Sequence, residues 1–180
     1  MYKRLSDTMK SIAKGDDQQV LSISHSRAFC RVLGLDCASI LEANYPTHDI
    51  RALGFADASF DYVVSDQVLA HVEGDPQDVI NETFRVLKPG GVAVHTSCFI
   101  NPIDRSPGDF WRFSPDALRF LCRAHDVLEV GGWGNPYVWG LVAIGLRFKP
   151  VPEKRCLYRR LAMYNDPACP IVTWVVARKR

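Results

Sequence analysis

The stretch that most constrains this chain is Phe60 to Gly91, FDYVVSDQVLAHVEGDPQDVINETFRVLKPGG. Phe60 to Val64 is a β-branched and aromatic run of the kind that forms a buried strand. Ser65, Asp66 and Gln67 are small and polar, so the strand ends there and a loop faces a cleft. Asp75-Pro76 reads as a helix N-cap followed by proline in the first turn, with Asp78 adding an acid where the helix dipole favours one. Val79, Ile80, Thr83, Phe84 and Leu87 share one helical face. Pro89-Gly90-Gly91 stops that helix ahead of a second buried strand, Val92 to Thr96. Strand, polar loop, amphipathic helix and strand make a βαβ unit, which requires a parallel pair.

The remaining segments extend the alternation. Met1 to Asp17 carries a weak helical pattern and reads as a leader helix over one edge. Gln19 to Ser24 is a first strand, followed by a helix to about Leu33 and a turn at Gly34. Cys37 to Glu42 is a second strand, Thr47 to Ile50 a short third, and Leu53 to Ala58 a loop. Val68 to Val72 reads as helical. Ser114-Pro115-Asp116 caps a helix to about Arg123, and Asp126 to Gly131 is a strand. Pro136 to Arg147 and Glu153 to Tyr164 read as helices, and Ile171 to Arg178 as a final strand. The pattern predicts a doubly wound, Rossmann-like α/β sheet in a single domain spanning 1–180.

Composition narrows the function classes. A chain of 180 residues with 47% hydrophobic and 23% charged side chains suits one soluble domain with a real core. A formal charge of +2 makes no case for nucleic acid, and the local cluster Lys154, Arg155, Arg159 and Arg160 reads as a solvated helix face. The six cysteines show no C-x-x-C pair and no metal-ligand spacing, which predicts reduced thiols, a cytoplasmic setting and no metal. The most apolar run, Tyr137 to Leu146, falls short of the ~20 residues a membrane span needs.

Three motifs fall in order at family spacing: Ser59-Phe60-Asp61, Val68-Leu69-Ala70-His71-Val72, and Arg85 to Gly91. The set resembles the type 11 branch of class I S-adenosylmethionine-dependent methyltransferases. That resemblance implies about seven strands with the last one antiparallel, S-adenosylmethionine as methyl donor, and a donor site across the strand ends. The family's first strand ends in an acid and G-x-G-x-G. Here those places hold Ser22, then Ser24, Ser26 and Ala28, small residues without the glycines or the carboxylate. Glu42 is the candidate for the ribose diol, with Asn44 as its rival if the register slips; Glu42 can equally be a solvated strand-end acid. Asp49-Ile50 matches the adenine site, or Asp49 caps its own turn. Ser65, Asp66 and Gln67 are placed beside the donor's methyl and methionine part. His71, on an apolar helix face, is a packing residue or a base.

The acceptor side is the segment Asn101 to Ser114, which resembles the family's H-x-x-P-x-D-(Y/F)-x-R-(F/W)-(T/S) loop through Pro107, Asp109, Phe110, Arg112, Phe113 and Ser114. Asp104 stands where the family has histidine. Asp109 and Arg112 either serve the acceptor or pair with each other, and Trp111 either stacks on a ring or packs. A hydroxyl acceptor must lose a proton, for which Asp104 and His95 are candidates; His95 can also be a satisfied strand histidine. Gly131 to Pro136 lines the same pocket or is a tight turn. The resulting expectation is a methyltransferase for a small-molecule or saccharide-like acceptor, with Asp104, Trp111 and Arg112 lining one cleft with Asp66. The competing expectation, raised by the altered glycine loop, is an inactive scaffold of the same fold.

Overall fold

A computed structural model describes residues 1–12, 17–36, 39–105, 107–146, 149–154 and 156–180. The elements are α1 (Tyr2–Ile12), β1 (Gln19–Ile23), α2 (Arg27–Val32), β2 (Ser39–Ala43) and β3 (Phe60–Ser65). A 3-10 turn (Leu69–His71) precedes α3 (Pro76–Val86), β4 (Leu87–Cys98), α4 (Pro115–Leu121), β5 (Asp126–Trp133), α5 (Val138–Ala143), α6 (Leu157–Met163) and β6 (Val172–Arg178). The described residues form one six-stranded sheet in the order β2-β1-β3-β4-β6-β5. The first four strands run parallel, and β6 is inserted antiparallel between β4 and β5.

Several boundaries differ from the sequence reading. The sheet has six strands rather than about seven, because Thr47 to Ile50 makes only an isolated bridge between Asp49 and Ala52. Asp49 folds back to accept the Arg51 backbone N–H at 2.8 Å, the side-chain turn chemistry that competes with strand pairing. Val68 to Val72 tightens to a single 3-10 turn. Pro89-Gly90-Gly91 lies inside β4, where the register with β3 shifts between Phe60 and Tyr62. Gly90 takes φ +78° there, and a Cβ on Gly91 would come within 3.0 Å of the Asp61 carbonyl. The two late helices are shorter than their apolar runs. Cys37, Arg147 and Arg155, the first two being boundaries of predicted elements, lie outside the described residues.

Each face of the sheet has its own core, as two-sided burial of a parallel sheet requires. On one face Leu21, Ile23, Val63 and Ala93 pack under Val79, Ile80 and Phe84 of α3 and Leu118 of α4. On the other, Val20, Val64, Val94 and Trp174 pack against Phe29 and Cys30 of α2 and Leu5 and Met9 of α1. The leader helix is also held by polar ties. Arg4 and Thr8 both donate to Glu129, which accepts the Trp174 indole N–H at 3.2 Å. Asp75 caps α3 by accepting the Gln77 N–H, and Ser114 caps α4 by accepting the Ala117 N–H, both as the sequence predicts.

Candidate functional site

The carboxyl ends of β1, β3 and β4 converge, and the turns that follow them build a cleft of about 460 Å³. The turn after β1 is the informative one. Ser24 and His25 both take left-handed backbone, φ +49° and +62°, a region that suits glycine and costs other residues about 1–2 kcal/mol. Two bonds to the end of β2 hold this shape: Ser24 N–H to the Ala43 carbonyl at 2.9 Å, and His25 N–H to Asn44 Oδ1 at 2.8 Å. Of the three places where the family has glycine, Ser24 alone takes left-handed backbone; Ser26 lies at φ −77° and Ala28 within α2. Ser26 faces inward, donating its hydroxyl to the Ile23 carbonyl and accepting the Asp66 N–H at 2.8 Å.

Asp66 is the hub of the cleft floor. Its carboxylate accepts the Thr96 hydroxyl and, at 3.3 Å, the Tyr2 hydroxyl from α1. Burial and the neighbouring Asp66 charge push the Tyr2 phenol up to about 12, so it remains a donor. Gln67, at φ +60°, donates its backbone and side-chain N–H groups to Thr96 Oγ1. Ser65 is fully buried and bonded at 2.7 Å to His95 Nδ1.

The side wall comes from the segment after β2. Asp49 grips the Arg51 guanidinium through both carboxylate oxygens, which holds its carboxyl below the usual carboxylate range. Arg51 Nη1 reaches on to the Glu73 carbonyl at 2.6 Å, closing the wall against the 3-10 turn. His48 stacks on Phe55 and bonds the Leu53 carbonyl through Nδ1. Ile50 and Tyr45 complete this wall.

The loop Asn101 to Ser114 roofs the cleft and is strapped down along its length, Ser106 lying outside the described residues. The Phe110 and Trp111 N–H groups both donate to the Ala70 carbonyl, and His71 Nδ1 meets the Gly108 carbonyl at 2.5 Å. Trp111 gives its indole N–H to the Val72 carbonyl at 3.0 Å. Arg112 is clamped by both oxygens of Asp109, which also accepts the Asp104 N–H. The arginine holds the Asp109 carboxyl far below the usual range.

The sequence candidates divide accordingly. Ser24, Asp49, Ile50, Asp66 and Gln67 line the cleft, with Ser26 and Ser65 directly behind them. Ser22 is fully buried in β1, with its hydroxyl unpartnered, on the α2 side of the sheet. Glu42, its register partner, is exposed on β2 and outside the cleft lining. Asn44 braces the β1 turn. The expected grouping of Asp104, Trp111 and Arg112 with Asp66 is not formed: the loop contributes Pro107, Gly108 and Phe110 instead, because Arg112 is held by Asp109 on its outer side. His95 is sealed in β4, where burial lowers its pKa to about 4 and leaves Nε2 unpartnered. Gly131 to Trp133 are neither pocket nor turn but the end of β5, paired with β6, and only Gly134 to Pro136 leave the sheet, Asn135 donating to the Leu161 and Tyr164 carbonyls. His25, Arg51 and Glu73 also line the cleft. The Asp-x-Arg spacing of Asp49 and Arg51 was the available signal for the second; nothing in the sequence distinguishes the other two.

Residues 11–95 match the model of a methyltransferase domain family. A probable S-adenosylmethionine-dependent methyltransferase of Mycolicibacterium smegmatis is 38% identical over 114 residues, covering 57% of this chain. The match spans less than half, 43%, of that relative's length. Among solved structures, an S-adenosylmethionine-dependent methyltransferase from Archaeoglobus fulgidus superposes with a TM-score of 0.58 at 12% identity, covering 99% of this chain and 95% of the other. The [4+2]-cyclase SpnF superposes at 0.56 and 17% identity, over 98% of this chain and 80% of its own, so the fold alone does not dictate methyl transfer. Just under half of the chain thus matches the methyltransferase domain family, one curated relative is similar over part of its length, and the fold is the one that S-adenosylmethionine-dependent methyltransferases share.

Proposed function

We propose that the chain is an S-adenosylmethionine-dependent methyltransferase for a small-molecule or saccharide-like acceptor. The observation that carries this reading is the left-handed turn at Ser24 and His25, which bends the chain away at the strand end a donor would approach although neither residue is glycine. The residues present fit S-adenosylmethionine with one substitution of role. Ser22 lacks the carboxylate that would meet the donor's ammonium, and Asp66, bonded through its N–H to Ser26, offers one from the adjacent strand end. When bound, the donor supplies an electrophilic methyl group on a sulfonium. The chain's own task is to hold an acceptor in line with that methyl and to keep water out. Phe110, Pro107 and Gly108 form the roof that does so. His71, its Nδ1 held by the Gly108 carbonyl, presents Nε2 as the group that takes the acceptor's proton, a role neither the buried His95 nor Asp104, which is outside the cleft lining, is placed to perform.

A second reading, an inactive scaffold of the same fold, is favoured by one observation: Arg112 is fully engaged by Asp109. Calorimetric titration with S-adenosylmethionine and with its demethylated product separates the two. Saturable binding of both supports the enzyme, and no heat with either at millimolar ligand leaves the scaffold.

A further inference from the structure

Residues 136–164, between β5 and β6, are built unlike the rest of the molecule. Neither α5 nor α6 buries a single residue. The pair is held by polar ties instead, among them Tyr158 hydroxyl to the Lys149 carbonyl at 3.0 Å and Arg159 Nη1 to the Pro152 carbonyl at 2.9 Å. Large apolar side chains point to solvent: Ile144 is 72% exposed, Leu157 70% and Met163 51%. A patch of this kind on a soluble domain marks an interaction surface.

Charge identifies what the surface meets. The segment contains six basic residues and one acid, a net charge of +5, while the rest of the chain carries −3. Among the described residues, Lys149, Lys154 and Arg160 are exposed alongside the apolar ones. Two copies packed face to face about a two-fold axis would set like charge against like, which disfavours self-association. A nucleic acid would engage the basic groups but has no use for Ile144, Leu157 and Met163. An anionic lipid surface uses both sets, aliphatic side chains entering the headgroup boundary and basic ones meeting phosphate. No helix among the described residues is long and apolar enough to cross a membrane, so the contact is interfacial.

We infer that the α5–α6 hairpin docks the protein on the surface of an anionic phospholipid bilayer. The indole N–H of Trp139 in α5 donates to the Ile100 carbonyl at 3.2 Å, at the root of the cleft roof. The roof continues the same chemistry outward with exposed Ile103 and Arg105.

Co-sedimentation of the whole chain with phosphatidylcholine vesicles, with and without about 30% phosphatidylglycerol, tests this. The protein should pellet with the anionic vesicles only. Its partition should fall about tenfold or more when salt is raised to ~0.5 M, where surface charges are screened. The pairs Ile144→Asp with Leu157→Asp, and Lys149→Glu with Arg160→Glu, should each abolish pelleting while keeping the wild-type melting curve, since all four positions are exposed. Protein left in the supernatant with both vesicles overturns the inference, as does equal pelleting with neutral ones. Binding that a single-stranded oligonucleotide displaces and that Ile144→Asp leaves unchanged would overturn it too, marking a general polyanion site. The salt series on the wild type decides the matter even if a variant fails to fold.

Discussion

His71 and Gly108 meet through a ring nitrogen and a backbone carbonyl at 2.5 Å, joining the turn after β3 to the loop that roofs the cleft. The contact fixes both the roof and, by occupying Nδ1, the side of the imidazole left for chemistry. His71→Ala should lower kcat by about 100-fold or more, the usual range for a lost general base, with donor binding nearly intact. Arg112→Ala frees Asp109 and loosens the roof but keeps the base. It should therefore keep most of the kcat that His71→Ala loses. An equal loss of kcat in the two variants would reduce His71 to a strap.

Ser24 is held at φ +49° where glycine would be at ease. Ser24→Gly should raise stability by about 0.5–1 kcal/mol, the relieved strain less the entropy glycine adds to the unfolded chain. It should also tighten donor binding by removing a side chain from the approach. Ser24→Val should do the reverse. Urea midpoints and donor titrations of the three proteins decide it; a destabilised Ser24→Gly would mean that the serine hydroxyl stabilises the turn more than its backbone strains it.

Glu42 and Asp66 separate two accounts of donor recognition. Glu42 is exposed and outside the cleft lining, whereas Asp66 sits on its floor. Glu42→Ala is expected to change the donor Kd by less than about twofold, and Asp66→Asn to raise it about tenfold or more, the scale of a lost charge-assisted hydrogen bond. A tenfold loss at Glu42 would restore it to the ribose role.

Acid should find His95. Buried in β4, it has a pKa of about 4 against about 6.5 when unfolded. Between those values the unfolded chain binds a proton that the folded chain does not, so stability falls as pH drops from 6.5 toward 4. The slope from this one group reaches about 1.4 kcal/mol per pH unit. His125 is lowered as well, also chiefly by burial, and adds to the effect. His95→Gln should flatten the dependence in part; denaturation midpoints from pH 7 to 4.5 that match the wild type would contradict a neutral buried histidine.

The βαβ unit was legible because each of its signals is local: the β-branched run at Phe60, the Asp75 cap, the apolar face of α3. The same holds for the Ser114 cap and the late strand. Thr47 to Ile50 misled because its strand-like sequence competes with an Asp49 side chain that prefers the nearby Arg51 backbone. The cleft was half visible. Ser24, Asp49, Asp66 and Gln67 could be placed by strand-end position, which the topology dictates. The roof could not, since whether Arg112 faces a ligand or Asp109 depends on how a fourteen-residue loop closes over Ala70 and His71. Left-handed backbone at Ser24, His25 and Gln67, none of them glycine, leaves no mark in a sequence at all.

The antiparallel insertion of β6 between β4 and β5 carries a consequence for synthesis. The strand that fills the middle of that half of the sheet is the last of the six to be translated. Until residues 172–178 leave the ribosome, β4 presents a bare edge of backbone donors and acceptors, and β5 has no neighbour to pair with. Nascent chains of this design are thus exposed to strand-swapping with one another from the emergence of β4 until that of β6, and the closing of this half of the sheet waits on a contact between distant parts of the chain.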